Sequence, residues 1–192
     1  MEQVNERNSL EPYVTDIRSV WGNGEDPELP FKVKALMEKL LTSTSPDEFW
    51  MAYLLKQGKP AKELYRDPDH GFVQMAHVHQ PGHKNAPHDH GPCWVIYGVY
   101  RGEIEIATYR RTDDGAEPGK AALETKEVHR LTPGVVYPYL SGEIHSTRAI
   151  EAPAVVFRFL SYDLEKVRQQ RYNPERGTVA FEEGTSGPVP PA

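Results

Sequence analysis

The chain is short of cysteine, of positive charge and of long apolar runs. One Cys among 192 residues excludes an intramolecular disulfide framework and a multi-thiolate zinc site. Lys and Arg number 22 against 28 Asp and Glu, a net charge of −6. A nucleic-acid or anionic-membrane binder needs the opposite balance, clustered on one face. No stretch nears the roughly 20 apolar residues that cross a bilayer. The segment MEQVNERNSLEPY lacks the basic-then-apolar pattern of a secretory signal, so the cytoplasm is the expected location. Against these shortages stand 38 % hydrophobic residues, 17 Pro, 15 Gly and eight His. The histidines are the feature to follow.

The first third reads as helical. Residues 31–41 carry apolar side chains at amphipathic spacing behind Pro30, and Ser45-Pro46-Asp47-Glu48 opens a second helix over 49–55 that Gly58 ends. Residues 12–22 suit an earlier short helix. From residue 72 the texture changes to short β-branched and aromatic runs, 72–79, 95–100, 103–110, 127–131 and 154–160, separated by Gly/Pro turns and Asp113-Asp114-Gly115. This pattern predicts a mainly β fold, an antiparallel sandwich or barrel. A short closing helix is expected over 163–171. The expected organisation is a single domain: a helical segment 1–68, a barrel with its closing helix 69–175, and a mobile tail 176–192 with little to bury.

His88-Asp89-His90 is the sharpest local signal. In an extended segment, residues two apart point to one face, so two imidazoles converge as a metal needs. Taken alone, such a pair also arises by chance in a His-rich chain.

The surroundings extend the signal. Gly82, His88-Asp89-His90 and Gly102 resemble the first motif of the cupin family, and Gly134-Val135-Val136-Tyr137-Pro138 followed by Gly142-Glu143-Ile144-His145 resembles the second. The resemblance spans 70–162. It implies a cupin double-stranded β-helix, a small antiparallel barrel, with a metal inside held by His88, His90 and His145. Most cupins add a Glu four or five residues after the second His; here those positions are Trp94 and Val95, which cannot bind a metal. The implied site is therefore a three-His face with other positions open, its charge uncompensated and receptive to anions.

Cupins of this kind include the thiol dioxygenases, and more of the chain is similar to them. Phe72 lies sixteen residues before His88, Gly82-His83 matches a Gly-His of cysteine dioxygenase, and Leu64-Tyr65-Arg66-Asp67-Pro68 resembles a Tyr/Arg segment whose Arg binds substrate carboxylate. The likeness, to cysteine and 3-mercaptopropionate dioxygenases, extends over 45–175. It implies ferrous iron as the sole cofactor, with no organic group, and a small acidic thiol and O₂ as partners. Arg suits a carboxylate because its planar fork engages both oxygens.

Departures from the family are informative. Its Ser-x-His-x-Tyr relay falls on Arg158, Leu160 and Tyr162, so only the catalytic Tyr, at Tyr162, is kept. A two-residue slip would put Arg158 and Leu160 at the His and Tyr positions. Either register points Arg158 inward, since a strand has period two. An inward Arg among Phe157, Phe159 and Leu160 is costly unless paired with an anion. It either binds a substrate carboxylate, beside Arg66 in a dicarboxylic thiol such as mercaptosuccinate, or it pairs with a protein carboxylate or exits at the rim. Cys93 is three residues after His90 rather than the five of the family's cross-linking Cys, so no cross-link is expected; it reads as a small buried side chain at the pocket. Tyr65, His83, Trp94, Tyr97 and Leu160 are the other candidate pocket residues. His77 and His79 form a second His-x-His, read as core or surface histidines because no third ligand accompanies them.

Three functions remain in play. The first is an iron thiol dioxygenase acting on 3-mercaptopropionate, cysteine or mercaptosuccinate. The others are another three-His cupin dioxygenase, such as a diketone-cleaving one, and a non-enzymatic metal-binding cupin. Exposed strand edges would suit a homodimer.

Overall fold

The computed structural model describes residues 8–58 and 61–183. Three helices come first: α1 (Leu10–Trp21), α2 (Leu29–Ser43) and α3 (Phe49–Gln57). α1 buries Tyr13, Val14, Ile17 and Trp21; α2 buries Leu29, Val33, Met37, Leu40 and Leu41. These are single stripes of helical period. Pro30 stands in the first turn of α2, where its missing N–H costs no helical bond. Gly58 closes α3 in the left-handed region at φ 56°, its N–H bonded to Leu54 O. The buried Glu48 carboxylate accepts from Ser9 N at 2.7 Å, Ser45 N at 3.0 Å and Trp50 Nε1 at 2.9 Å, tying α1 to the start of α3. No helix among the described residues is long and apolar enough to cross a membrane.

The rest is antiparallel β structure, so the fold is mainly β with N-terminal helices, as the strand pattern predicts. A six-stranded sheet runs β1 (Lys62–Arg66), β2 (Val73–His79), β6 (Ile144–Leu160), β3 (Val95–Arg111), β4 (Leu123–Leu131), with β5 (Val136–Tyr139) also pairing with β3. β3 and β6 are each 17 residues long. The sequence pattern divides β3 at Arg101-Gly102. The structure instead carries the strand through irregularities between Val99 and Ile104. Gly102 makes this possible: it sits at φ 75°, and a Cβ there would lie 2.5 Å from Glu151 O and 2.8 Å from Ala154 Cα.

Alternation assigns the two faces of β2, β3 and β6. Ala76, Val78, Ile96, Val155, Phe157 and Phe159 join the helices in one buried cluster; Val73, Met75, Val95, Tyr97, Val156 and Leu160 form a second cluster inside the barrel. Period two then turns His77, His79 and Arg158 inward as well.

Three expectations about the elements need correction. Residues 62–66 of the supposed helical segment 1–68 form β1, an edge strand paired with β2 from Lys62↔Ala76 to Arg66↔Val73. The closing helix over 163–171 is reduced to one 3-10 turn, Leu164–Lys166, capped by the Asp163 side chain. The backbone then extends as β7 (Arg168–Asn173), because its amides and carbonyls find partners at Pro87 and Asp89. The supposed tail 176–192 contributes β8 (Thr178–Glu183), paired with β7 in a hairpin. Its remainder, 184–192, lies outside the described residues.

Candidate metal centre

Two of the three motif histidines are locked face to face by backbone. His88 N–H donates to His145 O and His145 N–H to His88 O, each at 2.9 Å. This mutual pair holds the two Cα atoms across one antiparallel rung. His90, two residues on, faces the same way. The ring centroids are 4.8 Å apart for His88–His90, 4.8 Å for His88–His145 and 5.1 Å for His90–His145. One ligand atom from each lies within 4.8 Å of the others, and all three residues are buried. No carboxylate or thiol joins this group among the described residues.

Hydrogen bonds choose the tautomers. His88 Nδ1 donates to Ala86 O at 3.0 Å, His145 Nδ1 to Glu143 O at 3.1 Å, and His90 Nδ1 faces Gln169 Oε1 at 2.8 Å. Carbonyl oxygens only accept, so each Nδ1 carries the proton and each Nε2 keeps its lone pair. His90 Nε2 is buried without any partner. Burial, foremost, pushes His88 down to about 4 and His90 and His145 well below the ordinary imidazole value. Three buried, neutral imidazoles, each offering one ring nitrogen within 4.8 Å of the others, are a donor set that fits a divalent transition metal.

Arg158 faces inward on β6, opposite Met75 and Tyr97. It is 8 % exposed, and its Nε and Nη2 have no hydrogen-bond partner. No carboxylate pairs with it among the described residues. Its charge contributes to lowering the basicity of all three histidines and of His79. Tyr97 is its cross-strand neighbour; burial raises the Tyr97 hydroxyl, and the Arg158 charge offsets part of that rise. The Tyr97 hydroxyl also lies 3.4 Å from His145 Nε2. Tyr97 thus links the buried cation to the histidine cluster.

The other candidates scatter. Leu160 and Cys93 line the barrel interior; burial raises the Cys93 thiol, and its Sγ lies 3.4 Å from Ser161 Oγ. His83 stacks on His79 at 3.8 Å, and His77 and His79 stand 5.8 Å apart with no third ligand grouped with them. Tyr65 and Trp94 face away from the site. Tyr65 packs on Phe72 and donates to Asp67, and Trp94 stacks on Phe159 at 5.3 Å, both in the helix-side cluster. Arg66 sits on edge strand β1, ion-paired with Glu63 and Asp163. Tyr162 is 47 % exposed. It lies beyond Leu160, where β6 and its inward alternation end.

Two contributors escaped the sequence reading. Tyr139 stacks on His145 at 5.0 Å from the neighbouring β5, a position that alternation in the second motif could have flagged. Gln169 carries no sequence signal, since residues 163–171 read as helix.

By sequence, the chain matches no family model and no curated protein. By fold, it is similar to KdgF from Halomonas sp., at 19 % identity and a TM-score of 0.40, over 52 % of this chain and 76 % of that one. It is also similar to a cupin superfamily protein from Desulfitobacterium hafniense, at 13 % and 0.39, over 54 % and 76 %. A third likeness is to oxalate oxidase in complex with the substrate analogue glycolate, at 19 % and 0.38, over 48 % of this chain and 42 % of that chain.

Proposed function

We propose that the chain is a metal-dependent oxygenase acting on a small thiol that carries one carboxylate, with ferrous iron on His88, His90 and His145. The observation that carries this reading is Arg158, a buried guanidinium with unpartnered Nε and Nη2 on the inward face, across from the Tyr97 whose hydroxyl reaches His145. A cation left unpaired in a low-dielectric interior is costly unless an anionic ligand completes it. When bound, a ferrous ion supplies the redox chemistry that adds O₂ to a thiol sulfur, R–SH plus O₂ giving R–SO₂H.

The protein's own part is to bind and orient. The Arg158 fork takes the carboxylate and sets its distance from the histidine face. Tyr97, across the strand pair from Arg158, places its hydroxyl 3.4 Å from His145 Nε2, at the edge of the histidine face. The apolar walls, Met75, Val156, Leu160 and Cys93, exclude water.

The same residues refine the substrate. With Arg66 paired elsewhere, one guanidinium serves one carboxylate, so a second carboxylate finds no clamp. No carboxylate is grouped with the histidines either, so the ammonium of cysteine finds no counter-ion there. The expected order is 3-mercaptopropionate first, cysteine and mercaptosuccinate behind it, and cysteamine, which has no carboxylate, last. The test is anaerobic loading with ferrous iron followed by O₂ uptake against these four thiols. No uptake with any thiol sinks the reading; a preference for cysteamine sinks the clamp.

A further inference from the structure

The three histidines are not held alike. His88 and His145 are each oriented by the carbonyl two residues before them, Ala86 O and Glu143 O. Nearly any sequence would supply those acceptors. His90 is oriented by a side chain 79 positions away, Gln169 Oε1 at 2.8 Å.

That side chain arrives on a strap. β7 crosses the histidine loop and is stitched to it: Asp89 N–H donates to Gln170 O at 3.0 Å and Tyr172 N–H to Pro87 O at 2.8 Å. The buried Asp89 carboxylate accepts from Gly91 N, Gln170 N and the Tyr172 hydroxyl. The crossing is close: a Cβ at Gly91 would lie 2.6 Å from Arg168 O. The β7–β8 hairpin therefore delivers Gln169 at a fixed place rather than by chance contact.

We propose that Gln169 is the positioning residue of the metal centre, fixing the tautomer and ring orientation of His90 while leaving the site's charge uncompensated. The inference rests on the metal reading of the three histidines. An acceptor at Nδ1 keeps Nε2 free for a metal. A carboxylate at 169 would do the same and would also add a negative charge behind the ligand. A neutral amide orients without that charge, so the centre stays receptive to an anionic ligand. An amide can also donate. Were it to donate to Nδ1, the proton would sit on Nε2 and ligation would be blocked.

Two substitutions separate these roles. Gln169→Leu removes the acceptor; Gln169→Glu is close in shape and, when ionised, only accepts. The measurements are Co²⁺ affinity of the metal-free full chain, azide binding to the Co²⁺-loaded protein followed in its visible spectrum, and apoprotein melting. Leu should weaken Co²⁺ about 10–100-fold, the usual effect of losing an outer-sphere partner. Glu should hold Co²⁺ at least as tightly as Gln does but bind azide several-fold more weakly. Leu binding Co²⁺ within about twofold of the unsubstituted protein would overturn the proposal, as would Glu losing Co²⁺ as Leu does. Should the Leu variant melt before it can be titrated, the Glu variant decides alone on the same criteria. Failure of the unsubstituted protein to bind Co²⁺ would instead sink the metal reading itself.

Discussion

Strands β2, β3 and β6 carry two opposite chemistries on their two faces. Toward the helices they present Ala76, Val78, Ile96, Val155, Phe157 and Phe159, all apolar and fully or nearly fully buried. Toward the barrel interior the alternate positions present His77, His79, Tyr97 and Arg158 among Val73, Met75, Val156 and Leu160. The outer face is the one that favours folding, since it buries apolar area against α1–α3 and its buried Gln74 is satisfied by the Tyr13 hydroxyl at 2.8 Å. The inner face accumulates groups that oppose burial: the His79 imidazole, whose basicity burial lowers, and an unpaired guanidinium. Stability and chemistry thus share the same strands, one residue apart.

That division predicts separable effects. The largest belongs to the inner face. His145→Ala removes one ligand and should lower metal affinity beyond the roughly 10–100-fold that outer-sphere changes cost, with the β signal in circular dichroism kept; metal content after dialysis reads this. Next is the outer face. Phe157, wholly buried against Trp50 and Tyr100, should cost about 3–5 kcal/mol as Phe157→Ala, or about 6–20 °C in Tm, while metal affinity holds. Arg158→Leu should follow, lowering kcat/KM for a carboxylate thiol about 10–100-fold, the worth of a charged hydrogen bond. Its apoprotein should melt no earlier than the unsubstituted one, because an uncompensated buried charge is gone. A Tm loss comparable to that of Phe157→Ala would break the comparison and make the inner face structural. The smallest effect is at the sheet edge: Arg66→Leu breaks partly exposed ion pairs worth less than about 1 kcal/mol and should leave turnover within twofold.

Much of the centre was readable in the residues. The His-x-His spacing and the Gly-bounded third His named the cluster, because two-residue periodicity and tight turns are local properties. Periodicity also turned Arg158 inward without knowledge of its neighbours. What period two could not say is where a strand stops. Tyr162 sits two residues past Leu160 and would face inward in a longer strand; β6 ends first and the ring meets solvent. Nor could spacing say which Arg finds a protein partner. Arg66 meets Glu63 three residues away and Asp163 ninety-seven away, and the distant contact depends on β2, whose Val73 pairs with Arg66 on one side and with Leu160 at the end of β6 on the other.

The C-terminal hairpin was the least legible part. Residues 163–171 have helix-start features at Asp163, and the local signal is real, since one 3-10 turn forms there. The next residues become a strand because β8 pairs with them along their length and the 86–90 loop offers Asp89 N and Pro87 O on the other edge. By itself the sequence determined the alternation, the turns and hence the three imidazoles that meet. Only the tertiary structure decided which polar groups around them are already satisfied, as Arg66 is, and which are left open, as Arg158 and His90 Nε2 are. Partner choice over such sequence separations is a property of packing rather than of local pattern.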